Sequence, residues 1–212
     1  MITIEEARSH YQDNDASHDF EHVRRVLRMA ERIGAAEGAE MLILRTAALL
    51  HDVAREEERR SGICHAQAGA KQARTILAGH PEELVSAVAE AIATHRYRAD
   101  AVPQSLEAQI LYDADKLDAI GAIGIARAYA IAGIEGQRLW GPVPDGYGER
   151  GRTDGRADGF DDEHTPVHEF IFKLSRLKGT LFTETARRIA EDRHAYMVGF
   201  FDRLRREVVG EV

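Results

Sequence analysis

The sequence has 212 residues, of which 44% are hydrophobic and 30% are charged, a composition typical of a globular domain that buries a sizeable core. Its formal net charge of −8 argues against a surface that binds DNA or RNA polymers, because phosphate contacts require a basic patch. Cys64 is the single cysteine, so an internal disulfide is excluded, which fits a reducing compartment. No apolar stretch is long enough for a membrane span and no signal peptide is visible, so we expect a cytoplasmic location.

Apolar residues recur three and four positions apart along most of the chain, which predicts α-helices. The spacing predicts helices over about 19–38, 39–53, 65–80, 82–95, 106–131 and 183–208. Gly121 and Gly124 lie inside the fifth segment, which is therefore either two helices or one kinked helix. Ser17 and Thr183 are suitable N-caps for the first and last segments. Neither the alternation of a strand nor an internal repeat is visible, so the predicted fold class is all-α.

Residues 133–166 interrupt the helical pattern with eight glycines and three prolines. A loop of this length inside a compact domain is uncommon and is usually functional or disordered. A lid over a functional site and a surface loop without a role both stay open as interpretations. Residues 167–212 hold too few helices for a second core, so we expect them to pack back on the first. The whole chain, 1–212, is then a single domain.

His51 and Asp52 stand side by side at the end of an apolar helical run, where a core would ordinarily carry leucine or alanine. Burying an unpaired carboxylate is expensive, so either a cationic partner or a bound metal must compensate Asp52. His22 upstream and Asp115 downstream would complete a set of two imidazoles and two carboxylates, and those ligand types suit a divalent metal.

Each member of this set also has an ordinary explanation. His22 lies beside Val23 in the first long helix and could be a structural histidine of the core. Asp115 could form an ion pair with Lys116 or an arginine. Adjacent residues of a helix point about 100° apart, so His51 and Asp52 could share one metal only at the helix edge between them.

Two further residues could share these faces. Asp118 follows Asp115 by three positions and can lie on the same side of a helix, whereas Asp113 cannot. His18 precedes His22 by four positions, but we favour a contact with substrate over a metal ligand for His18.

The residues around these positions resemble the HD superfamily of metal-dependent phosphohydrolases, which is named for its histidine-aspartate pair. The resemblance lies in residues 17–26, 47–53 and 113–122, and the segment 173–178 is similar to that of small bacterial members, some of which act on nucleotides. The cyclic-dinucleotide branch has His-Asp-Ile-Gly-Lys followed by Gly-Tyr-Pro. This sequence has His-Asp-Val-Ala-Arg at 51–55 and no Gly-Tyr-Pro, which disfavours that activity.

The resemblance implies a bundle-like helical domain with a metal site between helices, in which His22, His51, Asp52 and Asp115 bind one divalent ion. Mixed nitrogen and oxygen ligands favour Mn²⁺, Fe²⁺, Ni²⁺, Co²⁺ or Zn²⁺ over Mg²⁺. A metal-activated water also needs a base and donors for developing negative charge. The base candidates are Asp52, Asp118 and Glu56, although Glu56 could equally belong to a solvated helix end. The candidates for substrate binding are His18, Arg55, His95 and Lys116, with His65 and Cys64 weaker.

These residues predict a metal-dependent phosphohydrolase that cleaves a phosphate ester or anhydride, with a nucleotide as the favoured small substrate. A metal-containing nucleotide-binding or regulatory module without turnover is the main alternative, and a structural helical protein without metal is another. Oxygenation at two iron atoms is disfavoured, because the ligand set is too small for two metals unless His18 or His95 contributes. Membrane or nucleic-acid partners are not expected, and a homodimer is reasonable for exposed helix faces.

Overall fold

The computed structural model describes residues 2–11, 20–96, 102–144, 147 and 164–212, and all regular elements in these ranges are helices. This confirms the all-α prediction. The ten α-helices are α1 (Ile4–Arg8), α2 (Phe20–Glu37), α3 (Met41–Leu50), α4 (Arg55–Ser61), α5 (His65–Ile76), α6 (Glu82–Thr94), α7 (Leu106–Asp118), α8 (Gly121–Ile134), α9 (Pro166–Phe172) and α10 (Glu184–Val208), with a 3-10 helix at Leu174–Thr180 before α10.

The apolar stripe of α2 is buried as its spacing predicts, because residues three and four apart share one helix face. The buried members are Phe20, Val23, Val26, Leu27, Ala30 and Ile33. Gly38 has a φ of 79° and ends the helix, while its N–H donates to the Gly34 carbonyl over 2.9 Å. A left-handed residue in this place favours glycine, because glycine has no Cβ to clash. The cap predicted at Ser17 lies outside the described residues.

Contacts divide the chain into two compact units, and the first comprises Met1–Asp118 and Leu181–Ala186. Within it, α2 packs on α3 and α7, α5 packs on α6, and α3 also contacts α6. The side chains of Leu44, Leu50, Ile92 and Leu111 are fully buried where these helices meet. Every residue singled out as a candidate metal ligand belongs to this unit.

Asp113 fastens the start of α10 inside the first unit. Its carboxylate accepts hydrogen bonds from the N–H groups of Phe182 (2.9 Å) and Thr183 (2.8 Å) and from the Thr183 hydroxyl (2.7 Å). The same hydroxyl oxygen accepts from the N–H of Ala186 over 3.3 Å, which confirms the predicted cap at Thr183. Asp113 is completely buried, so these bonds supply the compensation that its charge requires.

The second unit comprises Ala119–Thr180 and Arg187–Val212. Here α8 contacts α9, and the ring of Phe170 stacks on that of Phe201 with 4.3 Å between centroids. Gly121 begins α8 with a φ of 78°, and a Cβ added there would lie 3.0 Å from Cγ of Arg193. The fifth predicted segment is therefore two helices, α7 and α8.

The glycine-rich segment begins within the last two residues of α8 and ends as α9 begins. Its described residues 135–144 contain no helix, as expected for a loop, while 145–146 and 148–163 lie outside the described residues. The lid and the single domain over 1–212, with 167–212 packed on the core, stay predictions. Among the described helices, none alone is long and apolar enough to cross a membrane, although α7 and α8 taken together reach that length and composition.

Candidate metal centre

His51 and Asp52 lie in a turn that follows α3, not within a helix. The predicted helix to residue 53 was wrong at its end, because α3 stops at Leu50. The N–H of Val53 donates to the Leu50 carbonyl over 3.2 Å, which is a tighter turn than the α-helical ladder makes. From this turn both side chains approach His22.

The structure brings together all four residues predicted as metal ligands. The Nε2 atom of His22, on α2, lies 3.3 Å from Nε2 of His51 and 3.6 Å from Oδ2 of Asp52. It also lies 3.4 Å from Oδ1 of Asp115 on α7. His22, His51 and Asp52 are buried, and Asp115 is partly exposed. Two imidazole nitrogens and two carboxylate oxygens thus converge on one small volume.

Asp52 has the feature that most strongly indicates a cation-binding site. Both oxygens of its carboxylate are buried, and neither accepts a hydrogen bond from any of the residues that the structure describes. The guanidinium of Arg55 approaches Oδ2 only to 3.5 Å. A buried carboxylate without hydrogen bonds is costly, whereas the same oxygens are good ligands for a divalent ion. The residues present therefore fit a metal.

A second group of donors lies on the other side of the same carboxylate. Oδ1 of Asp52 is 3.5 Å from Nε2 of His65 and 3.7 Å from Nε2 of His95, and these two nitrogens are 3.3 Å apart. His65 begins α5, His95 follows the end of α6, and both are buried. Asp52 is thus shared by two groups of donors that could each hold a metal ion.

The sequence predicts substrate binding for His95, with a metal role only if two metals are bound, and it makes His65 a weaker candidate, so it does not reveal this second group as a whole. The available signal was two histidines at helix ends, at the first position of α5 and just after α6. Spacing along the chain does not reveal that these two ends meet, because the packing of α5 on α6 brings them together.

His51 and His95 are held by backbone carbonyls in the same manner. Nδ1 of His51 donates to the carbonyl of Ala48 over 2.8 Å, and Nδ1 of His95 donates to the carbonyl of Ile92 over 2.6 Å. A carbonyl can only accept, so each Nδ1 carries the proton and each neutral ring keeps a lone pair on Nε2. Both lone pairs are therefore available to a metal beside Asp52.

His22 is oriented by a carboxylate. Oδ2 of Asp118 lies 2.7 Å from Nδ1 of His22, and the guanidinium of Arg25 donates to both oxygens of Asp118 over 2.8 and 3.1 Å. Such a carboxylate partner fixes the ring and strengthens Nε2 as a ligand. Asp118 was predicted as a base, and in the structure it contacts the outer nitrogen of a candidate ligand.

The electrostatics of the centre favour neutral imidazoles and ionised carboxylates. Burial lowers the pKa of His51 to about 4 and that of His65 to about 3. Burial would raise the pKa of Asp52, but Arg55 and the nearby histidines outweigh it and hold that pKa well below its usual value. For Asp115, Lys116 and His22 likewise outweigh burial and keep the pKa low. These protonation states are the ones that metal ligation requires.

Two predicted cations lie at this centre. Nζ of Lys116 forms an ion pair with Oδ2 of Asp115, and it also lies 5.0 Å from the ring centroid of Tyr112. The ion pair predicted for Asp115 is therefore present, and its other oxygen faces His22; its role as a metal ligand stays a prediction. Arg55 lies at the start of α4, within 3.5 Å of Asp52.

A cleft opens beside Asp52. Its lining includes Tyr11, Arg55, Glu56, Arg59 and Gln72. Glu56 lies in the first turn of α4 and forms a long ion pair with Arg59 at 3.5 Å. This base candidate is therefore close to the centre and partly exposed. The substrate contact predicted for His18 falls outside the described residues.

Comparisons with known proteins identify the family of the chain. Residues 19–120 match the family model of the HD domain. The uncharacterized protein YpgQ of Bacillus subtilis is 33% identical over 202 residues, which cover 93% of this chain and 88% of YpgQ. The crystal structure of YpgQ in complex with ADP matches with a TM-score of 0.70 at 30% identity, covering 97% of this chain and 98% of that one.

Two further similar structures are those of HD superfamily hydrolases. A predicted HD superfamily hydrolase from an uncultured Thermotogales bacterium is 32% identical with a TM-score of 0.65, covering 96% of this chain and 90% of its own. An HD-superfamily hydrolase from Bacillus thuringiensis is 31% identical with a TM-score of 0.70, covering 96% and 93%. Matches of this extent show that the chain belongs to the HD superfamily of metal-dependent phosphohydrolases.

Proposed function

We propose that this protein hydrolyses a phosphate anhydride or ester bond of a nucleotide with the help of bound divalent metal. The observation that carries the proposal is the carboxylate of Asp52, buried without hydrogen bonds between two groups of nitrogen and oxygen donors. The ion pair with Arg55 at 3.5 Å leaves the hydrogen-bonding capacity of both oxygens unused, and a bound cation would use it.

His22, His51, Asp52 and Asp115 are the residues that would hold the predicted ion, and Asp52, His65 and His95 could hold another. A bound divalent ion lowers the pKa of its water and neutralises charge on a phosphoryl oxygen. Manganese, iron, nickel, cobalt and zinc suit these mixed donors better than magnesium.

The protein's own groups then have distinct tasks. The planar guanidinium of Arg55, at the mouth of the cleft, is suited to bind phosphoryl oxygens in pairs. Lys116 adds positive charge but is already paired with Asp115, so its main effect is on that carboxylate. Asp52 and Asp118 are committed to the centre and to His22. Glu56, which lines the cleft, is the proposed acceptor of a proton from the attacking water.

The nucleotide part of the proposal is supported by a relative. YpgQ, which matches this chain along nearly its whole length, has been crystallised in complex with ADP. The anionic phosphates of a nucleotide would find cationic partners in this negatively charged protein, since Arg55, Arg59 and Arg60 lie among the acidic residues of the cleft.

A substrate panel tests the proposal. Purified protein is analysed for metal and incubated with nucleoside mono-, di- and triphosphates in Mn²⁺, Co²⁺, Mg²⁺ or chelator, with phosphate and pyrophosphate measured separately. We expect metal-dependent release that is lost in His51→Ala. Glu83→Gln, on the exposed first turn of α6, is the matched surface control and keeps the wild-type rate. Equal turnover by His51→Ala would contradict the site.

The complex of YpgQ with ADP also fits a second function, namely nucleotide binding without turnover. Tight nucleotide binding measured by calorimetry, together with no product from any member of the panel, would favour that regulatory module. Product release at a rate that depends on Arg55 and on metal would exclude it.

A further inference from the structure

The turn that carries His51 and Asp52 leaves one backbone carbonyl of α3 without its helical partner. In a continued α-helix the N–H of Val53 would donate to the carbonyl of Leu49, four positions earlier. Here that N–H donates instead to the carbonyl of Leu50, over 3.2 Å. Leu49 is buried, so its carbonyl needs another donor, because buried backbone groups without partners are costly.

Tyr11, 38 positions earlier in the sequence, supplies that donor. Its hydroxyl donates to the carbonyl of Leu49 over 2.9 Å. Tyr11 follows α1, which packs on α3, and its own N–H donates to the carbonyl of Arg8 over 3.0 Å. The end of α3 is thus completed by a side chain that belongs neither to this helix nor to the turn that follows it.

The ring of Tyr11 is held in place as well as its hydroxyl. It lies edge to face against the ring of Phe20, with 5.3 Å between the centroids. Phe20 is buried at the start of α2, two positions before His22, and the guanidinium of Arg8 lies 5.2 Å from the centroid of its ring. Tyr11 therefore contacts both the beginning of α2 and the end of α3, next to the residues predicted to bind metal.

We propose that Tyr11 is a positioning residue that holds the turn of His51 and Asp52 in the arrangement that binds metal. This rests on the proposed function only in taking His51 and Asp52 as ligands. Tyr11 acts through the carbonyl of Leu49, where the chain enters the turn. Without this bond the turn populates other arrangements, and an ion must first select the competent one, which lowers its apparent affinity.

Tyr11→Phe tests the hydroxyl alone, because phenylalanine keeps the ring that contacts Phe20 and lines the cleft. Calorimetric titration of the folded, metal-free variant with Mn²⁺ measures the affinity. We expect it to fall by about 3- to 10-fold, the factor to which one neutral hydrogen bond of ordinary strength corresponds. Tyr196→Phe makes the same change at an exposed position of α10 and should bind Mn²⁺ as the wild type does.

A second control accounts for stability, because a missing hydrogen bond also destabilises the fold as a whole. Ile33→Val removes one methylene group from the buried face of α2 at a similar cost in stability, which urea unfolding verifies. We expect wild-type affinity for Mn²⁺ in this variant, because its ligands stay in place in the folded protein. Wild-type affinity in Tyr11→Phe, or an equal loss in both variants, would overturn the proposal.

Hydrogen exchange gives a readout that needs no metal. The N–H of Val53 donates within the turn, so its exchange with solvent, followed by nuclear magnetic resonance, reports how often the turn opens. This exchange should be faster in Tyr11→Phe than in Ile33→Val, and equal rates would refute the role of Tyr11. If the wild type bound no Mn²⁺, the proposed function would fail, while exchange at Val53 would still decide whether Tyr11 holds the turn.

Discussion

Asp118 accepts a hydrogen bond from Nδ1 of His22 over 2.7 Å, while Arg25 donates to both oxygens of the same carboxylate. The other nitrogen of His22 faces Asp52 and Asp115. One ring therefore links a carboxylate that orients it to the carboxylates that would share a metal with it. Asp118 could act as the general base or could orient His22, and these two roles predict different effects of substituting it.

Asp118→Asn separates the two roles. If Asp118 orients His22, metal affinity should fall by about 10- to 100-fold, and activity should recover largely when metal is raised to saturation. Calorimetric titration with Mn²⁺ and rates over a range of metal concentrations measure both. Unchanged affinity with a lower rate at every metal concentration would instead identify Asp118 as the base. Glu21→Gln, which removes an exposed charge from α2, serves as the control.

Asp52→Asn should weaken metal binding more than any other single substitution, because both donor groups share Asp52. Asparagine keeps the shape but lacks the negative charge, so we expect weaker metal binding at both groups and at least about 100-fold lower activity. Circular dichroism and elemental analysis of the same sample show whether the folded protein has lost its metal. Full metal content in the folded variant would refute the central role of this carboxylate.

Acid should destabilise the metal-free protein within a defined range of pH. The folded pKa values of His51 and His65, about 4 and about 3, lie below the ordinary 6.5. As pH falls below 6.5 the unfolded chain binds protons that the folded chain does not, so the free energy of unfolding decreases down to the folded pKa. Each such histidine costs about 1.4 kcal/mol per pH unit well inside this range.

Urea unfolding in chelator, at intervals between about pH 7.5 and pH 4.5, measures this dependence. His51→Gln should show a shallower slope than the wild type, because one of the depressed histidines is gone. Asp52 does not contribute in this range, since its folded pKa is depressed and its stabilising effect is lost only in stronger acid, below its ordinary 3.8. A flat profile from pH 6.5 to 4.5 would contradict the prediction.

Asp113→Asn should affect stability and leave metal binding intact. Asp113 is buried and accepts from two N–H groups and one hydroxyl at the start of α10. The substitution removes the charge from these bonds and leaves an amide nitrogen facing N–H donors, at a cost of about 2–4 kcal/mol. Thermal unfolding should shift downwards by roughly 10 °C. Reduced Mn²⁺ affinity in the folded variant would show that Asp113 belongs to the centre after all.

Helical periodicity predicted the parts of the fold in which one face is apolar and the other polar. The stripe of α2 is of this kind, because its apolar residues recur at the helical spacing and are buried on one face. The short helix α4 has no such stripe. It carries charges at most positions, so its sequence could not be distinguished from a solvated helix end.

The carboxylates of α7 show how far spacing along the sequence can predict the site. Spacing placed Asp115 and Asp118 on one face, and both contact His22 in the structure, one at each ring nitrogen. Local spacing does not decide which of Asp115 and Asp118 faces the candidate metal ligands, because that depends on helices distant in sequence. The contact of Asp113 with the start of α10 depends on such helices too. His65 was underestimated for the same reason, because its partner His95 is 30 positions away and meets it only through packing.

The carbonyls of Ala48 and Ile92 have a consequence for how the protein acquires its cofactor. They orient His51 and His95 with bonds of the chain itself, so these ligands are prepared before an ion arrives. Folding and loading can then be separate events, and ions can exchange on a folded scaffold. Which ion the protein carries would then depend on the supply of metals and on the common order of their affinities.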